Sequence, residues 1–224
     1  MTITQENFKQ KAAFAALDYI KDGMVVGLGT GSTVAYLLDA LSDKKMDIIG
    51  VTTSKDTSKK CRALGIRVVD IDTVDHIDVT VDGADEVDSY MNGIKGGGAA
   101  LLMEKIVAKN SNTNIWIVDE SKVHSVLGTF PLPVEIIPYG SGKLFQKFED
   151  KGYQPVLRVD NYNNPIVTDT GHHIVDLHLN YIDNPQELAD YLERQVGVVE
   201  HGLFLNIADV VIVGGEQIKI NTRR

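Results

Sequence analysis

The sequence predicts an α/β fold: a doubly wound, mostly parallel sheet with a smaller α+β domain inserted before its last strand. Three observations carry this expectation. Amphipathic stretches alternate with short β-branched runs from the start of the chain as far as Asp119. Ile115-Trp116-Ile117-Val118 is apolar without alternation, as strands covered by helices on both faces are. After Phe130-Pro131-Leu132-Pro133 the order changes to β-α-β-β-α-β, the split βαβ signature.

Residues 5–21 carry Phe8, Ala12, Ala15, Ala16 and Tyr19 at helical spacing, and Gly23 stops the run. Met24–Leu28 reads as a strand, Ser32–Ser42 as a helix, Asp47–Val51 as a strand and Lys55–Leu64 as a helix ended by Gly65. Ile66–Asp70 and Ile77–Asp82 read as strands, Ala99–Lys109 as a helix opened by three glycines, and Asn114–Asp119 as a strand. The second pattern runs strand Val134–Ile137, helix Gly142–Lys151, strands Pro155–Val159 and His173–Leu179, helix Pro185–Gln195 and strand Val198–Leu205. Asn163-Asn164-Pro165 and Thr168-Asp169-Thr170-Gly171 are turn sequences between its middle strands. Asp209-Val210-Val211-Ile212-Val213 is again a buried strand that rejoins the first sheet. The expected domains are therefore 1–129 plus 206–224, Rossmann-like, and 130–205, ferredoxin-like.

Composition narrows the function. A chain of 224 residues with 43% hydrophobic and 24% charged residues can bury a full core. A formal charge of −9 argues against a general nucleic-acid or membrane-surface binder, because both need a basic face. The polar start Met1–Gln10 has no apolar signal core, and no stretch approaches the ~20 apolar residues of a membrane span. The lone Cys61 lies at helical spacing from Leu64 and reads as core filler. The expected compartment is the cytoplasm.

Two loops hold the chemistry. Gly29-Thr30-Gly31-Ser32-Thr33 sits at a strand-to-helix turn, where free N–H groups and the helix dipole favour an anion. It lacks the lysine and the glycine spacing of a P-loop. It also lacks the third glycine and the ribose-binding acid of a dinucleotide site, since the next strand ends Val51-Thr52-Thr53-Ser54-Lys55. A monophosphate held by Ser32, Thr33 and backbone N–H groups fits better, and a tight turn with a serine cap is the plain alternative.

The second constellation is Asp82-Gly83-Ala84-Asp85-Glu86-Val87-Asp88 followed by Lys95-Gly96-Gly97-Gly98 and Glu104. Acids on two segments with a lysine between them suit proton shuttling beside a developing negative charge. An ordinary acidic turn before a helix cap is the bland reading. A metal on Asp82, Asp85 and Asp88 is a rival, but the run lacks the alternating acids and the central glycine of an EF-hand. No His or Cys cluster has ligand spacing: His172 and His173 point to opposite faces if they lie in a strand, and the other histidines are isolated. In open parallel sheets the carboxyl ends of strands form the ligand crevice, so the loops after Leu28, Asp82 and Asp119 are expected to converge. Lys122 would add charge there, whereas Lys9, read alone, is a solvated surface lysine.

These segments, together with Ser121-Lys122, Phe130-Pro131-Leu132-Pro133-Val134-Glu135 and Thr168-Asp169-x-Gly171, closely resemble the ribose-5-phosphate isomerase A family nearly end to end. The resemblance implies reversible isomerisation of D-ribose 5-phosphate to D-ribulose 5-phosphate through an enediol(ate), in the non-oxidative pentose phosphate pathway. It implies Glu104 as the proton acceptor, with Asp82, Asp85 and Lys95 as its catalytic companions. Thr30, Gly31, Ser32, Thr33, Asp82, Gly83, Ala84, Asp85, Lys95, Gly96, Gly97, Gly98, Lys122 and the N-terminal Lys9 would bind the sugar phosphate. No metal or other cofactor is needed if lysine does the polarising. The expected partners are the small-molecule substrate and further copies of the chain, as a homodimer or homotetramer. Tyr139-Gly140 departs from the family's usual small hydrophobic pair. The rivals are a coenzyme A transferase or sugar-phosphate deaminase on a related fold, told apart by thioester exchange or ammonia release. A non-catalytic sugar-phosphate sensor would have lost its base, whereas this chain keeps Glu104.

Overall fold

The computed structural model describes residues 3–223. In chain order the elements are α1 (Ile3–Ala16), β1 (Val25–Leu28), α2 (Ser32–Asp43), β2 (Ile49–Thr52), α3 (Lys55–Ala63), β3 (Arg67–Val68) and β4 (Val79–Asp82). β5 (Glu86–Val87), β6 (Gly93–Ile94), α4 (Leu101–Lys109), β7 (Asn114–Asp119), β8 (Leu132–Ile136), α5 (Ser141–Asp150) and β9 (Pro155–Leu157) follow. β10 (His173–Leu177), α6 (Pro185–Glu193), β11 (Val198–His201), β12 (Leu203–Phe204), β13 (Val210–Gly214) and β14 (Lys219–Thr222) complete the order. Among the described residues no helix is long and apolar enough to cross a membrane.

The chain divides into two compact units. The first comprises the described residues of Met1–Ala84, Met103–Val123 and Asn206–Arg224. Its sheet runs β14-β13-β7-β4-β1-β2-β3, parallel throughout except for the edge strand β14. The order reverses between β1 and β4, the kind of position at which open parallel sheets bind ligands. Leu28, Val81, Ile115 and Ile117 of the strands pack with Leu37, Leu38 and Leu41, a helical stripe on α2. Ala12, Ala13 and Ala16 make α1 thin enough to approach the sheet closely: a Cβ on Gly214 would lie 1.9 Å from the Phe8 carbonyl oxygen. α4 also packs on β1, where a Cβ on Gly27 would meet Val107 Cγ1 at 2.9 Å, and on the neighbouring strand it would meet Thr80 Oγ1 at 1.8 Å.

The second unit comprises Asp85–Leu102 and His124–Leu205. Its larger sheet is antiparallel in the order β11-β8-β10-β9. Leu144 and Phe148 of α5, one turn apart, and Leu188 and Leu192 of α6 fill a core against Val134, Ile136, Val175 and Leu177. Asp85–Leu102 joins the expected 130–205 span because β5 and β6 form a hairpin, and β12 pairs with β6 in a second small sheet.

Several elements differ from expectation. The first helix ends at Ala16, and Leu17–Tyr19 tighten into a 3-10 turn. The Ile66–Asp70 strand pairs only at Arg67–Val68, and Ile77 makes an isolated bridge ahead of β4. The Val198–Leu205 strand breaks at Gly202, where a Cβ would lie 2.3 Å from the Lys95 carbonyl oxygen. β14 was unforeseen because all four of its residues are exposed and carry no apolar pattern. The glycines do not open α4 directly: Ala99 turns with φ 58° and the helix begins at Leu101. Tyr139 is 94% exposed beside Gly140, whose left-handed φ of 76° starts α5, so the unusual pair packs against nothing.

Candidate active site

In the first unit the site is built at the reversal between β1 and β4. The chain leaves β1 with Gly29 N–H donating to the Val81 carbonyl at 3.0 Å. Thr30 N–H then donates to Asp82 Oδ1 at 3.1 Å, and Gly83 N–H donates to the same oxygen at 2.7 Å. Asp82 is therefore a buried carboxylate, 2% exposed, fixed by backbone donors on both flanking turns. Gly29 is required by this approach, since a Cβ there would lie 2.0 Å from Asp82 Oδ1. Thr30 Oγ1 lies 2.8 Å from Thr53 Oγ1, 2.9 Å from Ser54 Oγ and 3.2 Å from Thr57 Oγ1, and Thr57 Oγ1 donates to the Gly29 carbonyl at 2.9 Å. Hydroxyls of the turn after β2 thus hold the glycine loop in one shape.

Gly31, at φ 119°, is the residue from which α2 starts, and Ser32 and Thr33 are its first helical residues. The first N–H groups of a helix have no partner within it, so this terminus presents donors and a positive dipole end. The serine-cap alternative does not hold: the cap is Gly31, and the Ser32 hydroxyl accepts from Lys9 Nζ at 3.1 Å. The same Nζ reaches Glu6 Oε1 at 3.0 Å, and Tyr36 donates to Glu6 Oε2 at 2.6 Å. Lys9 is 4% exposed, which overturns its reading as a solvated lysine. The Tyr36 hydrogen bond, then the Lys9 contact, hold the Glu6 carboxyl below its usual range, and Glu6 in turn pushes the Tyr36 phenol up.

β4 pairs with both β1 and β7, so the loops after Leu28, Asp82 and Asp119 share one sheet edge, as expected. Asp119 Oδ1 accepts from Ser121 N at 3.0 Å and from the Ser121 hydroxyl, shaping the 3-10 turn that ends at the half-buried Lys122. Glu104 stands in the first turn of α4, 5% exposed. Its spacing of three puts it on the face of Val107, the residue that packs over Gly27, one turn nearer the helix N-terminus. Gly83 and Ala84 complete this set, both half-buried in the turn after Asp82.

In the second unit Asp85 Oδ2 accepts from Gly97 N–H at 2.7 Å. Gly97 is glycine for that contact, since its Cβ would lie 2.6 Å from Asp85 Oδ1. Lys95 is 3% exposed; its backbone N–H donates to the Gly202 carbonyl at 2.9 Å and its Nζ lies 5.4 Å from the Phe204 ring centre. Gly96 adopts φ 108°, and Gly97 and Gly98 are exposed. Asp88 is committed elsewhere: it accepts Tyr90 N and Asn92 N at 2.8 Å and Asn92 Nδ2 at 3.2 Å, which shapes the β5–β6 turn. Cys61 is buried in the sheet core, and burial pushes its thiol up to about 11.

Sequence reasoning missed Glu6 and Tyr36, which orient Lys9, although their spacing from Lys9 and Ser32 on two adjacent helices was a usable signal. It also missed Glu86, whose fully buried carboxylate accepts the N–H groups of Gly128, Thr129 and Phe130 at 3.0, 3.3 and 3.0 Å. An acid inside an otherwise apolar two-residue strand was the available hint.

The family described as Ribose 5-phosphate isomerase A (phosphoriboisomerase A) matches residues 49–218. Ribose-5-phosphate isomerase A of Bifidobacterium adolescentis is 58% identical over 214 residues, covering 94% of this chain and 92% of that protein. The Enterococcus faecalis protein of the same name is 54% identical, covering 94% and 95%. Among solved structures, a D-ribose-5-phosphate isomerase in complex with phospho-erythronic acid superposes with a TM-score of 0.95 at 41% identity over 100% of both chains. Ribose 5-phosphate isomerase A from Neisseria gonorrhoeae gives 0.93 at 38% identity over 99% of both.

Proposed function

The chain belongs to the ribose 5-phosphate isomerase A family, and we propose a residue-by-residue mechanism for its interconversion of D-ribose 5-phosphate and D-ribulose 5-phosphate. The α2 terminus with Thr30, Gly31, Ser32 and Thr33, joined by Lys9 and Lys122, takes the phosphate. Asp82, assisted by Asp85 and the Gly83-Ala84 turn, moves the hydroxyl proton and helps open the sugar ring. Glu104 removes the C2 proton of the open-chain aldose and returns it to C1 through a cis-enediol(ate). Lys95 and the N–H groups of Gly96 and Gly98 stabilise the oxyanion, an effect worth about 2.7–4 kcal/mol per donor removed, while the Gly97 N–H holds Asp85. The observation that carries the reading is the Thr30 N–H to Asp82 bond, which joins an anion-binding helix terminus to a buried carboxylate at one strand edge.

The strand order β3-β2-β1-β4-β7-β13 supports a doubly wound, Rossmann-like reading of 1–129 plus 206–224 less the Asp85–Leu102 segment and residues 124–129, which join the second unit. The order β8-α5-β9-β10-α6-β11 supports a ferredoxin-like reading of 130–205. We place the enzyme in the cytoplasm as a homodimer or homotetramer acting on a small sugar phosphate. The transferase, deaminase and sensor alternatives are not favoured by relatives that share one name at 50–58% identity.

Isomerisation in deuterium oxide tests the proton-transfer route. Ribulose 5-phosphate formed from ribose 5-phosphate should carry deuterium at C1, read by NMR before reverse turnover. Complete retention of the original C2 hydrogen in product formed over many turnovers would contradict transfer through an exchangeable carboxylate.

A further inference from the structure

The glycine loop that bears Lys95 is held by a group outside the catalytic set. Arg158 follows β9 and extends its ladder, its backbone N–H donating to the Ile174 carbonyl at 2.9 Å. Its guanidinium grips Asp176 of β10 through two bonds, Nε to Oδ2 at 2.8 Å and Nη2 to Oδ1 at 2.5 Å. Nη1 donates to the carbonyl oxygens of Gly96 at 2.8 Å and Gly97 at 3.1 Å. The paired side chains are only 14% and 16% exposed.

The Gly96 carbonyl and the Gly97 N–H belong to one peptide unit. Arg158 holds its oxygen, and its N–H donates to Asp85 at 2.7 Å. A cation on the oxygen polarises the unit and strengthens the bond made by its N–H. Three successive glycines would otherwise leave this loop with more conformational freedom than any other residues give. Lysine is no substitute, because one ammonium lacks the planar fork that serves a carboxylate and two carbonyls together.

We infer that Arg158, oriented by Asp176, is a positioning residue that fixes the Lys95–Gly98 loop and, through the Gly96–Gly97 peptide, the Asp85 carboxylate. The inference rests on the proposed roles of Lys95 and Asp85. Arg158→Ala should lower kcat by roughly 10–100-fold, the scale of a misplacement near 1 Å, while KM for ribose 5-phosphate stays within about threefold. Added guanidinium should restore part of the loss, and Arg158→Lys should recover less than half of it on a logarithmic scale. In a background that lacks both groups the loop positions, Lys95→Ala with Asp85→Asn, the same Arg158→Ala change should cost less than about threefold more. Wild-type kcat in Arg158→Ala would overturn the inference. So would an equal loss in both backgrounds without guanidinium rescue, which is the signature of a fold defect. If Lys95→Ala and Asp85→Asn are themselves near wild type, the reading of those two residues fails, and the inference falls with it.

Discussion

Gly29→Ala probes the joint between the glycine loop and the acid. The new Cβ would lie 2.0 Å from Asp82 Oδ1, 2.2 Å from Cγ and 2.6 Å from Cβ. Ordinary carbon–oxygen contact begins near 3.4 Å, so the carboxylate must retreat by about 1.4 Å. Rotation of the side chain does not suffice, because its Cβ is rooted in β4 and the two backbone donors hold Oδ1 in place. Overpacking of this kind costs about 1–3 kcal/mol. At about 2–4 °C per kcal/mol for a chain of this size, Tm should fall by about 2–12 °C. The displacement exceeds 1 Å, so kcat/KM should fall by about 10²-fold, beyond what the stability loss explains at 25 °C. A coupled assay of ribulose 5-phosphate formation and a calorimetric scan give the two numbers. Gly142→Ala is the control: it lies in α5 with nothing within 4 Å of a new Cβ, and it should keep full activity and gain slightly in stability. Gly29→Ala with activity within threefold of wild type would refute the argument that Asp82 must sit where it does.

Ser32→Ala and Lys122→Ala should each raise KM for ribose 5-phosphate, since a hydrogen bond to a charged group contributes about 1.5–3 kcal/mol. Unphosphorylated ribose should be a very poor substrate and insensitive to both changes; equal losses with both sugars would remove the phosphate role. Tyr36→Phe removes the largest cause that depresses the Glu6 carboxyl, so Glu6 should ionise nearer its ordinary value of 4.5. The Glu6–Lys9 contact is present above that value and lost as pH falls through the folded one, so the acid limb of the KM profile should move to higher pH in the variant. Cys61 should resist thiol reagents at pH 8 until the protein unfolds. Its unfolded thiol ionises near 9.0 while the folded one holds its proton to about 11, so stability should fall more steeply as pH rises through that window in wild type than in Cys61→Ala, where only raised phenols such as Tyr36 contribute.

What was legible in the sequence follows burial. Asn114–Asp119 is buried at every position, and its uninterrupted apolar run marked a central parallel strand. The loops after Leu28, Asp82 and Asp119 were placed on one edge by a rule about strand ends, which needs only the strand order. Tertiary contacts hid the rest. The Val198–Leu205 run looks continuous, but its break depends on Lys95, distant in sequence, passing over Gly202. Lys9 resembles any surface lysine until Ser32 and Glu6 are known to face it. Arg158 carries no motif, because its partners are two glycine carbonyls and an aspartate on the next strand.

The most direct test of the account is the turnover of Glu104→Gln, measured by the coupled assay alongside substrate binding by calorimetry. Glutamine fills the same space in the first turn of α4 but does not accept a proton from carbon. The account predicts a loss of roughly 10²–10⁴-fold or more in kcat, with the affinity for ribose 5-phosphate largely kept. A variant that binds substrate and retains more than half of wild-type turnover would show that Glu104 is not the base.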